Sequence, residues 1–331
     1  MSTLKLGTRG SHLALIQANV VAALLQARAD VSCDVVAIKT SGDRLADAPL
    51  AQIGGKRLFV KEIEDALLRG EIDLAVHSSK DMPADLPDGL ALIAALPRED
   101  ARDAIVLRSA DNTKDSGRNP TGWSIETIAT QLGETPNIGT SSIRRTAQLR
   151  QLFPGARFGA IRGNLDTRLR KLDAGEFDAI VLAAAGLRRL GHESRISMAL
   201  PPHVCVPAPG QGIIAVETRS NDAKVRTAVE RINDPASAAA LVAERMVVRR
   251  LGGGCQMPIG AYATVATNEL SLMTIVLSTN GDRVVRAEAS GPVSDAEAIG
   301  TRTAMRLLAQ GAAEILAEAE TARGVVEGLQ P

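Results

Sequence analysis

Hydrophobic and polar positions alternate between two periods over the first two hundred residues. Residues 4–8 form a strand-like run, and Ser11 then stands where it can cap a helix over 12–28, whose Leu, Ile, Val and Ala positions repeat at helical spacing. Residues 33–39 read as the next strand, 40–56 as a Gly-, Asp- and Pro-rich loop, 59–69 as a helix and 73–78 as a buried strand. This alternation predicts an α/β lobe with a mainly parallel sheet. A second lobe repeats the theme: a strand over 137–140, a helix from Ser141 or Ser142 to Leu152, a strand over 157–161, a short helix over 167–174 and a strand over 179–184. Two echoes link the lobes. Gly7-Thr8-Arg9-Gly10-Ser11 parallels Gly139-Thr140-Ser141-Ser142, each a strand end feeding a helix. Gly70-Glu71-Ile72-Asp73 parallels Gly175-Glu176-Phe177-Asp178, each a helix end feeding a strand. The intervening lengths differ, so the echo is one of topology and not a tandem repeat.

The pattern changes near residue 233. A helix over 236–251 ends in three glycines, and 260–265, 270–277 and 283–289 alternate like antiparallel strands, with Asn280-Gly281 as a hairpin turn. Amphipathic helix follows over 295–320. The expected fold is α/β: two α/β lobes plus a small α+β domain with a three-stranded antiparallel sheet. Residues 1–98 and 210–232 would form the first lobe, 102–208 the second and 233–331 the third domain. The Pro- and Gly-rich run 201–212 suits a crossover between lobes. The polar run 108–123 reads as a surface insertion.

Composition narrows the class. At roughly 100–200 residues per domain, 331 residues make two or three domains. Aromatics are only 2%, so the cores must be built from Ala, Val, Leu and Ile. Few stacking platforms and a net charge of zero argue against nucleic acid as a partner. The zero hides a local excess. Between Gly139 and Lys171, eight basic residues face one acid, Asp166. Something anionic is expected to meet part of that segment. Three widely spaced cysteines, Cys33, Cys205 and Cys255, give no disulfide framework and fit a reducing cytoplasm. The start Met1-Ser2-Thr3-Leu4-Lys5 has no signal-peptide pattern, and no apolar stretch approaches the ~20 residues of a membrane span. A soluble cytoplasmic protein is expected.

Three motifs carry candidate chemistry. In Gly252-Gly253-Gly254-Cys255-Gln256-Met257-Pro258-Ile259-Gly260 the glycines leave room around a loop sulfur. The bland alternative is a helix cap followed by a small buried residue. His77-Ser78-Ser79-Lys80-Asp81-Met82-Pro83 follows a strand at the carboxyl end of the sheet, where open α/β sheets bind ligands. Asp81 can accept from an N–H group or move a proton, whereas His77 reads as a hydrogen-bonded structural histidine. Gly139-Thr140-Ser141-Ser142-Ile143-Arg144-Arg145 sets two arginines in a first helical turn, against the dipole. A bound anion would reverse that sign. Arg162-Gly163-Asn164 and Thr167-Arg168 repeat the logic, Arg9 and Ser11 match it in the first lobe, and Arg188 and Arg189 follow Gly186-Leu187. The alternative, a solvated basic face, suits Arg150, Arg157 and Arg170. There is no Walker loop, no Gly-x-Gly-x-x-Gly after a strand and no metal-ligand spacing.

Together these runs resemble the porphobilinogen deaminases over nearly the whole chain. The resemblance also rests on Gly54-Gly55-Lys56, Leu58-Phe59-Val60-Lys61-Glu62, Arg98-Glu99-Asp100, Thr167-Arg168-Leu169 and Gly210-Gln211-Gly212. It implies two lobes like those of periplasmic binding proteins, joined by crossovers, with a third α+β domain. It implies that Cys255 bears a dipyrromethane cofactor through a thioether. Porphobilinogen would lose ammonia to give an azafulvene, and four additions would precede hydrolysis to hydroxymethylbilane. Asp81, with Lys80, would serve catalysis at the pyrrole N–H groups. Lys80, Thr140, Ser141, Ser142, Arg144 and Arg145 would hold the cofactor. Arg9, Ser11, Arg162, Arg168, Arg189 and the lid residue Lys56 would hold substrate carboxylates. The enzyme would be a monomeric transferase with no metal and no membrane partner. Arg57, Ser79 and Met257 depart from the commonest pattern, and the 108–123 region is longer than typical. One rival is a solute-binding module, which explains the lobes and arginines but neither Cys255 nor the third domain. Another makes Lys80 a Schiff-base lysine, with no cofactor-phosphate site nearby.

Overall fold

Three sheets account for the strand patterns in the computed structural model, which describes residues 3–44, 59–109, 124–253 and 257–328. Strands β1 (Leu4–Arg9), β2 (Cys33–Ile38), β3 (Leu74–Ser78), β4 (Leu90–Ala95) and β10 (Ile214–Arg219) lie in the order β2-β1-β3-β10-β4. Strand β1 is parallel to β2 and β3, but β10 is antiparallel to both β3 and β4. The sheet is therefore mainly parallel, as expected: β1 to β4 share one direction, and β10 alone runs against them. The reason is the route of the chain. Strand β10 enters from the second lobe at the end where β3 finishes, with Ile214 opposite Ser78, so it must run the other way.

Strands β5 (Asp103–Leu107), β6 (Asn137–Gly139), β7 (Arg157–Gly159), β8 (Ala179–Ala183) and β9 (Met198–Ala199) repeat the arrangement as β7-β6-β8-β5-β9. Here β5 is the strand received from the other lobe, and it is antiparallel to β8. The two echoes in the sequence are thus the visible part of one topology used twice, each sheet holding one strand delivered by its neighbour. Strands β4, β5, β9 and β10 escape sequence reading because they are short runs with no helical or alternating period.

The third sheet, β11 (Ile259–Ala266), β12 (Glu269–Leu277) and β13 (Val284–Pro292), is antiparallel in chain order, as expected. Helices Pro235–Arg250, Ala296–Ala309 and Ala312–Gly328 accompany it. Val247, Ile259, Leu272, Ile299 and Leu307 share its core. The cores are mainly aliphatic: Leu6, Leu25, Leu74 and Ile214 fill the first lobe, while Phe153 and Phe177 add the aromatic members of the second. Each such side chain is worth about 1.5–3 kcal/mol of burial. Cys33 packs half-buried at that core's edge, where burial pushes its thiol up to about 11.

Local chemistry sets the helix starts that matter. Ser11 accepts from the Ala14 amide and caps His12–Ala29. Ser142 accepts from the Arg145 amide and caps Ile143–Leu152. Asn164 accepts from Thr167 N, so that helix begins at Leu165, two residues before the periodicity places it.

The two segments that cross between lobes run side by side. Glu99 N donates to Gly212 O at 3.1 Å and Leu96 N to Ile214 O at 2.9 Å. Gly212 has φ +90°, and a Cβ there would stand 2.3 Å from the Glu99 carbonyl oxygen. Only glycine permits that approach. The third domain touches the second lobe through its hairpin, where a Cβ on Gly281 would lie 2.5 Å from Ala147 O.

Candidate functional site

Strand β3 runs past Ser78 directly into a 3-10 turn, Ser79–Asp81. That turn sets Lys80 and Asp81 at the carboxyl end of the first sheet. His77, the last inward residue before it, lies 3.1 Å from the buried Glu217 carboxylate, the structural role expected of it. Among the described residues, no donor or cation stands within bonding distance of the Asp81 carboxylate. Its charge is nonetheless felt by Lys80 and by Arg168 of the second lobe. The Lys80 ammonium is 3.5 Å from Gln211 Oε1. Burial pulls its pKa down to about 8; Asp81 and Asp103 oppose the shift, and Arg145 and Arg144 add to it.

Across the cleft, the Gly139–Arg145 turn is internally bonded. Thr140 Oγ1 accepts from Ser142 N at 3.2 Å, and Ser141 Oγ donates to Ile161 O at 2.7 Å. Arg144 and Arg145 are 4% and 7% exposed. Arg144 Nη1 donates to Asp103 Oδ2 and to Val206 O, both at 2.6 Å. Arg145 Nε donates to Asp103 Oδ1 at 2.9 Å, and its Nη1 to Val181 O at 2.9 Å. Two arginines at a helix N-terminus call for an anion, and from the sequence an external one is expected. The anion found there is the chain's own Asp103, delivered on β5.

Asp103 escapes sequence reasoning, because no local motif marks it. It is fully buried and also accepts from Gln211 Nε2 at 2.9 Å and Cys205 Sγ at 3.4 Å. Its burial is outweighed by the two guanidiniums, which hold its carboxyl well below the usual range. Burial and this carboxylate push the Cys205 thiol up to about 12.

Of the remaining arginines, Arg168 is the most exacting. Its Nε donates to Gly163 O at 2.9 Å, while burial lowers its pKa to about 10, with Arg145 and Arg162 adding to the shift and Asp81 opposing it. Lys80, Asp81, Arg145, Arg162 and Arg168 therefore form one electrostatic group spanning both lobes, with cations in excess. Arg189 donates to Gly212 O at 2.7 Å on a crossing segment, and burial lowers its pKa. Arg9 pairs with Asp43, Nε to Oδ1 3.2 Å, and stacks 4.3 Å above the Phe59 ring. Ser11 is occupied as a helix cap, its hydroxyl oxygen accepting at 3.3 Å.

Cys255 and Lys56 lie outside the described residues, as do Arg57 and nearly all of the 108–123 run. Two residues just beyond the cysteine, Met257 and Ile259, line a cavity of about 60 Å³ together with Ser79, Lys80, Ser142 and Arg144. The end of the cysteine loop thus meets both lobes at Lys80. No group of three His, Cys, Asp or Glu side chains able to hold a metal occurs among the described residues. No helix among them is long and apolar enough to cross a membrane.

Comparison with known proteins bears on the whole chain. Residues 4–227 match the family described as porphobilinogen deaminase, dipyromethane cofactor binding domain. Residues 238–309 match porphobilinogen deaminase, C-terminal domain. A porphobilinogen deaminase of Geobacter sulfurreducens is 45% identical over 319 residues, covering 96% of this chain and 95% of its own. That of Moorella thermoacetica is 46% identical over 329 residues, covering 99% and 100%. Among solved structures, substrate-binding domain 2 of Lactococcus lactis GlnP in its open conformation aligns with TM-score 0.42 and 10% identity over 76% of this chain and 91% of that one.

Proposed function

The chain belongs to the porphobilinogen deaminase family and carries that family's dipyrromethane-cofactor domain, and from that premise we propose that it is a transferase joining four porphobilinogen molecules head to tail. Ammonia is lost at each addition, and hydrolysis releases hydroxymethylbilane. The observation that carries this reading is Asp81: a carboxylate with no bonded partner among the described residues, beside Lys80 and facing Arg168 across the cleft.

The residues fit a dipyrromethane. Its pyrrole N–H groups need an acceptor, and Asp81 is free to be one. Its acetate and propionate arms need cations, and Lys80, Arg144, Arg145 and Arg168 outnumber Asp81 and Asp103 there, with Arg162 beside Arg168. Cys255 would tether it by a thioether. When bound, it supplies the nucleophilic α-carbon from which the chain grows. Asp81 accepts from pyrrole N–H groups and stabilises the positive charge that develops on the substrate as ammonia departs. Lys80 and Arg168 fix carboxylates so that the reacting carbons are aligned. The hydroxyls of Thr140, Ser142 and Ser11 each accept from a backbone amide, so each keeps its O–H to donate to a carboxylate. Ser141 already donates to Ile161 O, and it braces the turn instead. Arg144, held by Asp103 and Val206, anchors the helix that presents Arg145. Arg9, Arg189 and Lys56 complete the carboxylate set as rings are added.

We place the enzyme in the cytoplasm as a monomer. The free thiols of Cys33 and Cys205 suit a reducing compartment. The test is the intact mass of protein purified from cells and denatured. A dipyrromethane adduct is expected, absent in Cys255→Ser, together with ammonia released from porphobilinogen. An unmodified thiol in protein that turns over would sink the reading, and a solute-binding module would release no ammonia.

A further inference from the structure

Gln211 lies on the segment that returns the chain from the second lobe to the first, and it is 1% exposed. Its amide nitrogen is committed to the other crossing segment and the strand it leads into. Nε2 donates to Ala101 O at 2.7 Å and to Asp103 Oδ1 at 2.9 Å. Rotating the amide by half a turn would set its oxygen against those two acceptors and forfeit both bonds in a buried site. The direction of Oε1 is therefore fixed, and Lys80 Nζ is the donor it meets, at 3.5 Å. One side chain thus touches the outgoing crossover, the carboxylate that gathers Arg144 and Arg145, and the ammonium of the Ser79–Asp81 turn.

We propose that Gln211 is a positioning residue for the porphobilinogen reaction: it aims the Lys80 ammonium at the carboxylates in the cleft and ties that aim to the setting of the two lobes. The proposal rests on the function proposed for this site. The groups facing Lys80 are Asp81 on its own turn, Asp103 on β5 and Arg144 and Arg145 on the opposing helix. Arg245, on the helix before the cysteine loop, lines the same cavity. Gln211 is the neutral member of this set that offers an acceptor. Losing it leaves Lys80 with less support for its charge, so the cation is given up at lower pH.

The test is the pH dependence of KM for porphobilinogen, measured on holoenzyme whose cofactor load has been confirmed by mass. In the wild-type protein KM is expected to rise above pH about 8, where Lys80 loses its proton. Gln211→Met should move that rise to lower pH and increase KM at neutral pH about tenfold, the loss of one hydrogen bond to a charged group, with a smaller change in kcat. Gln211→Glu keeps an acceptor for the ammonium but must hold a proton to face Ala101 O and Asp103 Oδ1, so its rise should stay nearer the wild-type position than that of Gln211→Met. A structural role alone would lower the Tm of both variants and leave the rise where it is. A rise unmoved in folded, loaded Gln211→Met overturns the proposal, and so does a wild-type rise that persists in Lys80→Arg. A wild-type protein that releases no ammonia from porphobilinogen instead sinks the parent reading and this proposal with it.

Discussion

Arg98 and Glu244 form a two-pronged ion pair, Nη1 to Oε1 at 2.6 Å and Nη2 to Oε2 at 3.1 Å, that joins the outgoing crossover to the helix preceding the cysteine loop. The same carboxylate accepts from Gly210 N on the returning crossover and from Ala263 N in β11, each at 2.6 Å. Glu244 is fully buried, and among the described residues these four donors sustain its charge. Removing the carboxylate strands two backbone amides and leaves the largely buried Arg98 guanidinium with only neutral partners, Gln211 O, Ala263 O and the Tyr262 ring. Glu244→Ala is expected to cost about 3–5 kcal/mol, read by urea denaturation. A loss under about 1 kcal/mol, the level of an exposed pair, would show that the junction is not held there.

Asp103 makes a pH-dependent prediction. Its carboxyl is held below the usual range by Arg144 and Arg145, so the folded state binds its proton less readily than the unfolded one. A depressed acid stabilises the fold fully above the unfolded pKa of about 4 and loses that contribution as pH falls through the folded value. At neutral pH, Asp103→Asn should lose several kcal/mol, of the order found when one partner of a buried pair is removed. The gap between variant and parent should narrow progressively below about pH 4. Parallel stability curves from about pH 7 to about pH 3 would refute the assignment.

Asp81 separates chemistry from structure. With no bonded partner among the described residues, Asp81→Asn should change stability by less than about 0.5 kcal/mol. Turnover should fall by about 10²–10³, as when a preorganised group that stabilises transition-state charge is removed. Single-turnover ammonia release on cofactor-loaded protein is the measurement. Near-normal rates would remove Asp81 from the mechanism.

Lys80 sets the alkaline edge. Burial brings its pKa to about 8, so its cation is lost well before an exposed lysine would lose its own. Between pH 8 and about 10.5 the unfolded chain binds the extra proton, so stability should rise with pH across that window. Activity should fall over the same range. Lys80→Arg keeps the charge at any working pH, and its activity profile should stay flat above pH 8. A profile identical to the parent's would show that another group titrates.

What can be read from the chain is what its chemistry states locally. Ser11, Ser142 and their helices are encoded within a few residues, and both caps are present. Arg144 and Arg145 at a helix N-terminus signal an anion through the dipole they oppose. Asp103, 41 and 42 positions away, is invisible because nothing nearby announces a carboxylate that will be carried into the other lobe. The same holds for Glu244 and Arg98, separated by 146 positions. Strand β10 is hidden for a related reason: Ile214–Arg219 carries no period, and only its pairing with β3 and β4 identifies it. Contacts between lobes are set by long-range packing, and sequence period reports only the face a segment buries.

The paired crossovers bear on how a lengthening product can be housed. Two bodies joined by a single thread can spin about it. Here two threads lie against each other, stitched by Glu99 N to Gly212 O and closed up where Gly212 lacks a side chain. Such a joint resists twist and yields mainly to bending, as a door does on its pins. Two adjacent threads restrict rotation of one lobe about the other, so the relative movement they permit most readily is a bend across the pair.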